Sequence, residues 1–127
     1  MANVNNVQLS DTFTSYAGFI ERQHQLPNRQ VTNWGKQKVQ LIIFIKKHVP
    51  LLRLAELNSG QIEQIFRLLA NRPPRFRDGN PISRSFARSL IREFRQFLRW
   101  LHYSNEYLWR LPEGYEARPV PIHNAIQ

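Results

Sequence analysis

At 127 residues the chain is long enough for one domain with a real core, and 42% hydrophobic content with eight Phe and three Trp excludes wholesale disorder. Its 18 Lys and Arg outweigh nine Asp and Glu, a formal charge of +9 that points to an anionic partner: nucleic acid, an anionic membrane surface or an acidic protein. With no cysteine there is neither a disulfide framework nor thiolate chemistry.

Residues 1–9 are polar and Asn-rich and read as a loose arm. The opening MANVNNVQLSD has no basic region followed by an apolar run, so it is not a secretory signal. Ser10 or Asp11 is placed to cap a first helix that runs to about residue 25, with Phe13, Ala17 and Ile20 as its apolar stripe and Tyr16 beside it. Pro27 punctuates it.

A second helix starts between Gln30 and Thr32 and runs to about residue 47. Trp34, Leu41, Ile42 and Ile45 share one side, and Val39, Ile43 and Phe44 widen it, so this helix is expected to be central. Arg29, Asn33, Lys36, Gln40 and Lys47 occupy its polar arc. Its most apolar run, Val39 to Ile45, is too short to span a bilayer, so a soluble, cytoplasmic protein is the expectation. After Pro50 the segment LLRLAEL reads as an ordered connector or a single turn.

Ser59 is placed to cap a third helix over residues 60–71, and Glu63 suits its positive end. Ile62, Ile65, Phe66 and Leu69 form its core face. Pro73, Pro74, Gly79 and Pro81 then make a loop, in which Arg72, Arg75 and Arg77 read equally as a phosphate clamp or as solvent-facing charge.

The fourth helix is SRSFARSLIREFRQFLRWL, residues 83–101. Arg84, Arg88, Arg92, Arg95 and Arg99 recur at spacings of three and four, which places them in one stripe roughly 80° wide. Phe86, Leu90, Phe94, Phe97, Leu98 and Leu101 form the opposing core stripe, and Ser83 and Ser85 can serve the first-turn N–H groups. Solubility does not require one sign of charge, and like charges at this spacing repel by a few tenths of a kcal/mol per pair. Only Glu93 interrupts the run, so the stripe reads first as an anion-facing surface and, as the alternative, as a plain solvated face. Leu108 and Trp109 are expected to pack back on the bundle, and residues 111–127 read as a tail or interdomain linker. The expected fold is all-α, a small bundle of four to five helices over residues 10–110.

Nothing in the sequence argues for an enzyme, a metal or a cofactor. His24, His48, His102 and His123 lack ligand spacing, the glutamates are scattered, and no phosphate-binding loop surrounds Gly79 or Gly114. Phosphate neutralisation on duplex DNA suits the two polar helix faces, since the major groove admits a helix.

Three segments carry a resemblance: DTFTSYAGFIERQ; VTNWGKQKVQLIIFIKK with the following Leu54 and Leu57; and ISRSFARSLIREFRQFLRWL. Together, over residues 10–103, they resemble the N-terminal core-binding, SAM-like domain of tyrosine recombinases and phage integrases. That resemblance implies a helical bundle clamping one side of duplex DNA in recombination and DNA integration, with a separate C-terminal domain cleaving strands through a tyrosine ester. It implies contacts from Thr32, Asn33, Lys36 and Gln40 on the second helix and from Arg84, Ser85, Arg88, Arg92 and Arg95 on the fourth. Lys47, Arg75, Arg77 and Arg99 join them from the residue-level reading.

The chain departs from the family in three ways. The catalytic domain is not expected in this sequence, so Tyr103, Tyr107 and Tyr115 are not cast as a nucleophile, and the chain reads either as a fragment of a longer recombinase, which the linker-like tail favours, or as a stand-alone relative without catalysis. The loop RPPRFRDGNP is longer than the family's turn, and Phe86 stands where a small polar residue is usual. A homo-oligomer on DNA is a further expectation. The rival partner is an acidic protein met by the same arginines, while a membrane surface is disfavoured because both long helices need their apolar faces for the bundle.

Overall fold

Four α-helices follow one another in the computed structural model, which describes residues 7–112: α1 (Leu9–Gln23), α2 (Asn33–His48), α3 (Ser59–Ala70) and α4 (Arg84–Tyr103). One turn of 3₁₀ helix, Leu54–Glu56, separates α2 from α3. Among the described residues there is no strand, only three isolated antiparallel bridges. The fold is an all-α bundle of four helices.

Side-chain oxygens set three of the four helix starts. Thr32 accepts from the Gly35 N–H at 3.1 Å, Asn58 from Gln61 at 3.0 Å and Ser83 from Phe86 at 3.0 Å, each serving a first-turn donor that has no partner inside the helix. Asn58 caps α3 one residue before the expected Ser59. α1 has no side-chain cap and starts ahead of Ser10. Backbone pairing fixes it instead: the Leu9 N–H donates to the Leu52 carbonyl and the Leu54 N–H to the Val7 carbonyl, both at 2.8 Å. Leu9 is fully buried, so residues 7–9 of the expected arm belong to the bundle.

α4 packs against α1, α2 and α3, and α1 packs against α2. Ala87, Leu90, Ile91, Phe94, Phe97, Leu98 and Leu101 point inward from α4. Phe97 stacks on Phe13 of α1 at 4.3 Å between ring centres, and Phe94 meets Phe66 of α3 edge-on at 5.1 Å. These contacts tie both flanking helices to the middle of α4. Beyond α4, Trp109 is buried and its indole N–H donates to the Leu57 carbonyl at 3.1 Å. Tyr107 is buried as well, its hydroxyl 2.7 Å from that of Ser15.

Two expected core residues lie elsewhere. Trp34 is 59% exposed and Leu108 is 57% exposed, whereas Phe86 is half-buried and packs against the core. Leu108 is exposed between two buried neighbours, Tyr107 and Trp109. Among the described residues, no helix is long and apolar enough to cross a membrane. From residue 113 onward, the expected tail or linker and Tyr115 and His123 lie outside the described residues.

Candidate nucleic-acid interface

The arginine stripe is real as a surface. Arg84, Arg88, Arg92 and Arg99 are exposed along α4, and among the described residues no carboxylate pairs with any of them. Arg95 is half-buried, with its guanidinium over the Phe66 ring at 5.5 Å. Ser85 is exposed beside the stripe, while Ser83 alone provides the cap. Towards the C-terminal end, Arg92, Arg95 and Arg99 border a cleft of about 490 Å³ together with His102 and Tyr103.

The acid inside the arginine run is not on that surface. Glu93 is 3% exposed and accepts from Lys38 Nζ of α2 at 2.8 Å and from the Tyr16 hydroxyl of α1 at 2.8 Å. Lys38 Nζ also donates to Gln96 Oε1 at 2.8 Å. Burial pushes the Tyr16 phenol well above its ordinary pKa, and the adjoining Glu93 carboxylate adds to the effect, so the hydroxyl stays a donor. The only acid of α4 is thus consumed internally and leaves the exposed face with one sign of charge. Periodicity did not identify this network. A lysine among the inward positions of α2 and a lone acid at an inward position of α4 were its signal.

α2 brings Asn33, Lys36, Gln40 and Lys47 to its exposed arc. Thr32 is half-buried and its oxygen serves the helix cap, so it acts first on the fold. The start of α2 is held tightly: a Cβ on Gly35 would come within 2.6 Å of His24 Cβ and 2.8 Å of Val31 Cγ1. A side chain larger than hydrogen has no room there, so glycine lets α2 approach the end of α1.

α2 and α4 flank a groove of about 370 Å³. Trp34 and Leu41 from α2 and Phe86 from α4 give it apolar walls, while Gln37, Gln40, Ser89 and Gln96 add neutral polar groups. The exposed Trp34 belongs to this groove rather than to the core.

The loop between α3 and α4 is a hydrogen-bonded hairpin. The Arg75 N–H donates to the Asn80 carbonyl at 2.9 Å, and the Gly79 N–H, at φ +71°, donates to the Arg75 carbonyl at 2.8 Å. Arg75 pairs with Asp78 at 3.1 Å, whereas Arg77 is exposed. The Asn80 backbone N–H, with Arg75 beside it, holds the Asp78 carboxyl below its ordinary pKa. Phe76 lies against His48 with ring centres 4.5 Å apart, and Lys47 Nζ sits 5.5 Å from the centre of the Phe76 ring. The hairpin therefore brings Arg77 to the same end of the molecule as Lys47, while Arg75 is paired with Asp78.

Together these placements put an arginine face, a polar α2 face and a largely apolar and amide groove on the paired α2 and α4. Among the described residues, no three His, Asp or Glu side chains are grouped to hold a metal ion. No protein-family model, curated protein or solved structure matches the chain.

Proposed function

We propose that this chain is a duplex-DNA-binding module, and that its DNA-contacting surface is formed by α2 and α4. The observation that carries the reading is the one-signed face of α4, on which Arg84, Arg88, Arg92 and Arg99 stand exposed and without a carboxylate among the described residues. Four guanidiniums on one rigid rod match a row of phosphates better than they serve the fold. Lys36 and Lys47 on the exposed arc of α2 extend the basic surface across the groove.

The finer reading follows the family resemblance: a non-catalytic, SAM-like core-binding domain of a tyrosine recombinase, holding one side of a duplex while a separate catalytic domain acts from the other. Its support is the chain order of the three similar segments together with the position of their polar faces on α2 and α4.

A fluorescence-anisotropy titration against a short duplex tests the reading. With six exposed cations on the face, log K is expected to fall with log salt at a slope of about −5, or about 10³-fold between 50 and 200 mM. The double charge reversal Arg88→Glu, Arg92→Glu is expected to abolish binding and leave helix content unchanged, because both side chains are exposed. Binding by that variant equal to wild type would place the contact surface elsewhere. Binding to an acidic protein that added duplex cannot displace would favour a protein partner instead.

A further inference from the structure

The groove between α2 and α4 differs chemically from its flanks. Arg84 and Arg88 stand exposed on α4, and Lys36 and Lys47 on α2, the two helices that line the groove. Inside the groove, the two charged side chains Lys38 and Glu93 hold each other at 2.8 Å. Of the charged groups lining it, only Arg92 at the rim is outside that pair. What the groove offers is apolar surface and amides.

Trp34 dominates the apolar surface. It is 59% exposed although it is the second residue of a helix whose start is locked by the Thr32 cap and the tight Gly35 contact. Its position is therefore fixed by the backbone, and its ring lies 5.9 Å from the Lys38 ammonium. Leu41 lies two turns further along α2 on the same side. Gln37 and Gln40 are exposed beside them, and Gln96 spends its carbonyl oxygen on Lys38, which leaves its NH₂ as a donor.

Phosphate-binding side chains around exposed apolar and amide groups match the order of groups in the major groove of a duplex, where phosphates run outside and base edges inside. On those edges the thymine methyl is the apolar group, and adenine is the base that pairs with a glutamine amide through two hydrogen bonds. Guanine calls for Arg or Lys and cytosine for a carboxylate. The groove's lysine and carboxylate are committed to each other, and Arg92, the remaining charged group of its lining, belongs to the phosphate-facing arginine stripe. Resting on the duplex-binding reading, we propose that this groove is the base-reading element and selects A·T pairs, with Trp34 packing on a thymine methyl and Gln37 or Gln40 engaging adenine.

The test uses the whole chain. Duplexes randomised over one helical turn are selected for binding at moderate salt, and the best duplex is remade with uracil in place of thymine, which deletes only the methyl groups. The selected pool is expected to be enriched in A·T pairs, and uracil is expected to weaken binding about fourfold for each methyl that was buried. Trp34→Ala, exposed and so expected to fold, is expected to bind the thymine and uracil duplexes alike. Salt-dependent binding with a G·C-enriched pool, with no thymine–uracil difference, or with that difference intact in Trp34→Ala overturns the inference and leaves duplex binding standing. Failure of wild type to bind any duplex at low salt overturns both.

Discussion

Glu93 is the residue on which the charge pattern turns. Its carboxylate is almost fully buried and accepts from Lys38 and Tyr16, so one side chain of α4 is bonded to α2 and α1 at once. A buried pair of this kind is weak evidence for stability, because desolvation offsets much of the attraction, but removing one partner strands the other charge. Glu93→Ala is expected to lose about 3–5 kcal/mol in urea unfolding, since the Lys38 ammonium is left without its counter-charge. The triple replacement Tyr16→Phe, Lys38→Met, Glu93→Leu removes the three buried members, leaving only the exposed Gln96, and is expected to recover most of that loss. Recovery would identify the network as a specifier of helix register rather than a source of stability. Tyr16 adds a pH dependence. Its folded pKa is raised above the unfolded value near 10, so its contribution is fully present below about pH 10 and is lost as pH rises further. The alkaline limb of a stability–pH curve is expected to fall above about pH 10 and to be flatter in Tyr16→Phe.

At the scale of the element, helix boundaries depend on single oxygens. Thr32→Ala removes the α2 cap and is expected to cost about 1 kcal/mol in thermal or urea unfolding, whereas Thr32→Ser keeps the acceptor and is expected to stay within a few tenths. If the alanine variant weakens duplex binding while remaining folded and the serine variant does not, the cap positions the α2 surface. The four helices and most of their inward faces were legible from apolar periodicity, as Ile62, Ile65, Phe66 and Leu69 of α3 show. The start of α1 was not, because the contact that fixes it joins Leu9 to Leu52, far along the chain, and no local cap marks it. Trp34 was misassigned for another reason. Periodicity gives an angle around the helix but not where the neighbouring helix leaves a gap, and Trp34 borders the groove between α2 and α4. The polar positions of the candidate surface were legible because exposure follows directly from that angle. The groove itself was not, since it exists only once two helices are set side by side.

Over the whole molecule, a formal charge of +9 opposes folding as well as inviting anions. The α4 stripe concentrates that opposition: Arg84, Arg88 and Arg92 are successive i,i+4 neighbours, and Arg95 and Arg99 form another such pair. A surface shaped only by stability would interleave carboxylates there. This gives a comparison between fold and function at a single position. Arg88→Gln relieves two like-charge pairs, so at low salt it is expected to raise Tm by about 2 °C, a gain that shrinks as added salt screens the repulsion. The same variant is expected to weaken duplex binding and to lower the magnitude of the salt slope by about one. Calorimetry and anisotropy on one pair of proteins therefore suffice. A stabilised variant that binds worse means that the stripe is retained against the interest of the fold. A destabilised variant would mean that Arg88 holds the bundle together, and a stabilised one with unchanged affinity would leave the stripe as surface charge alone.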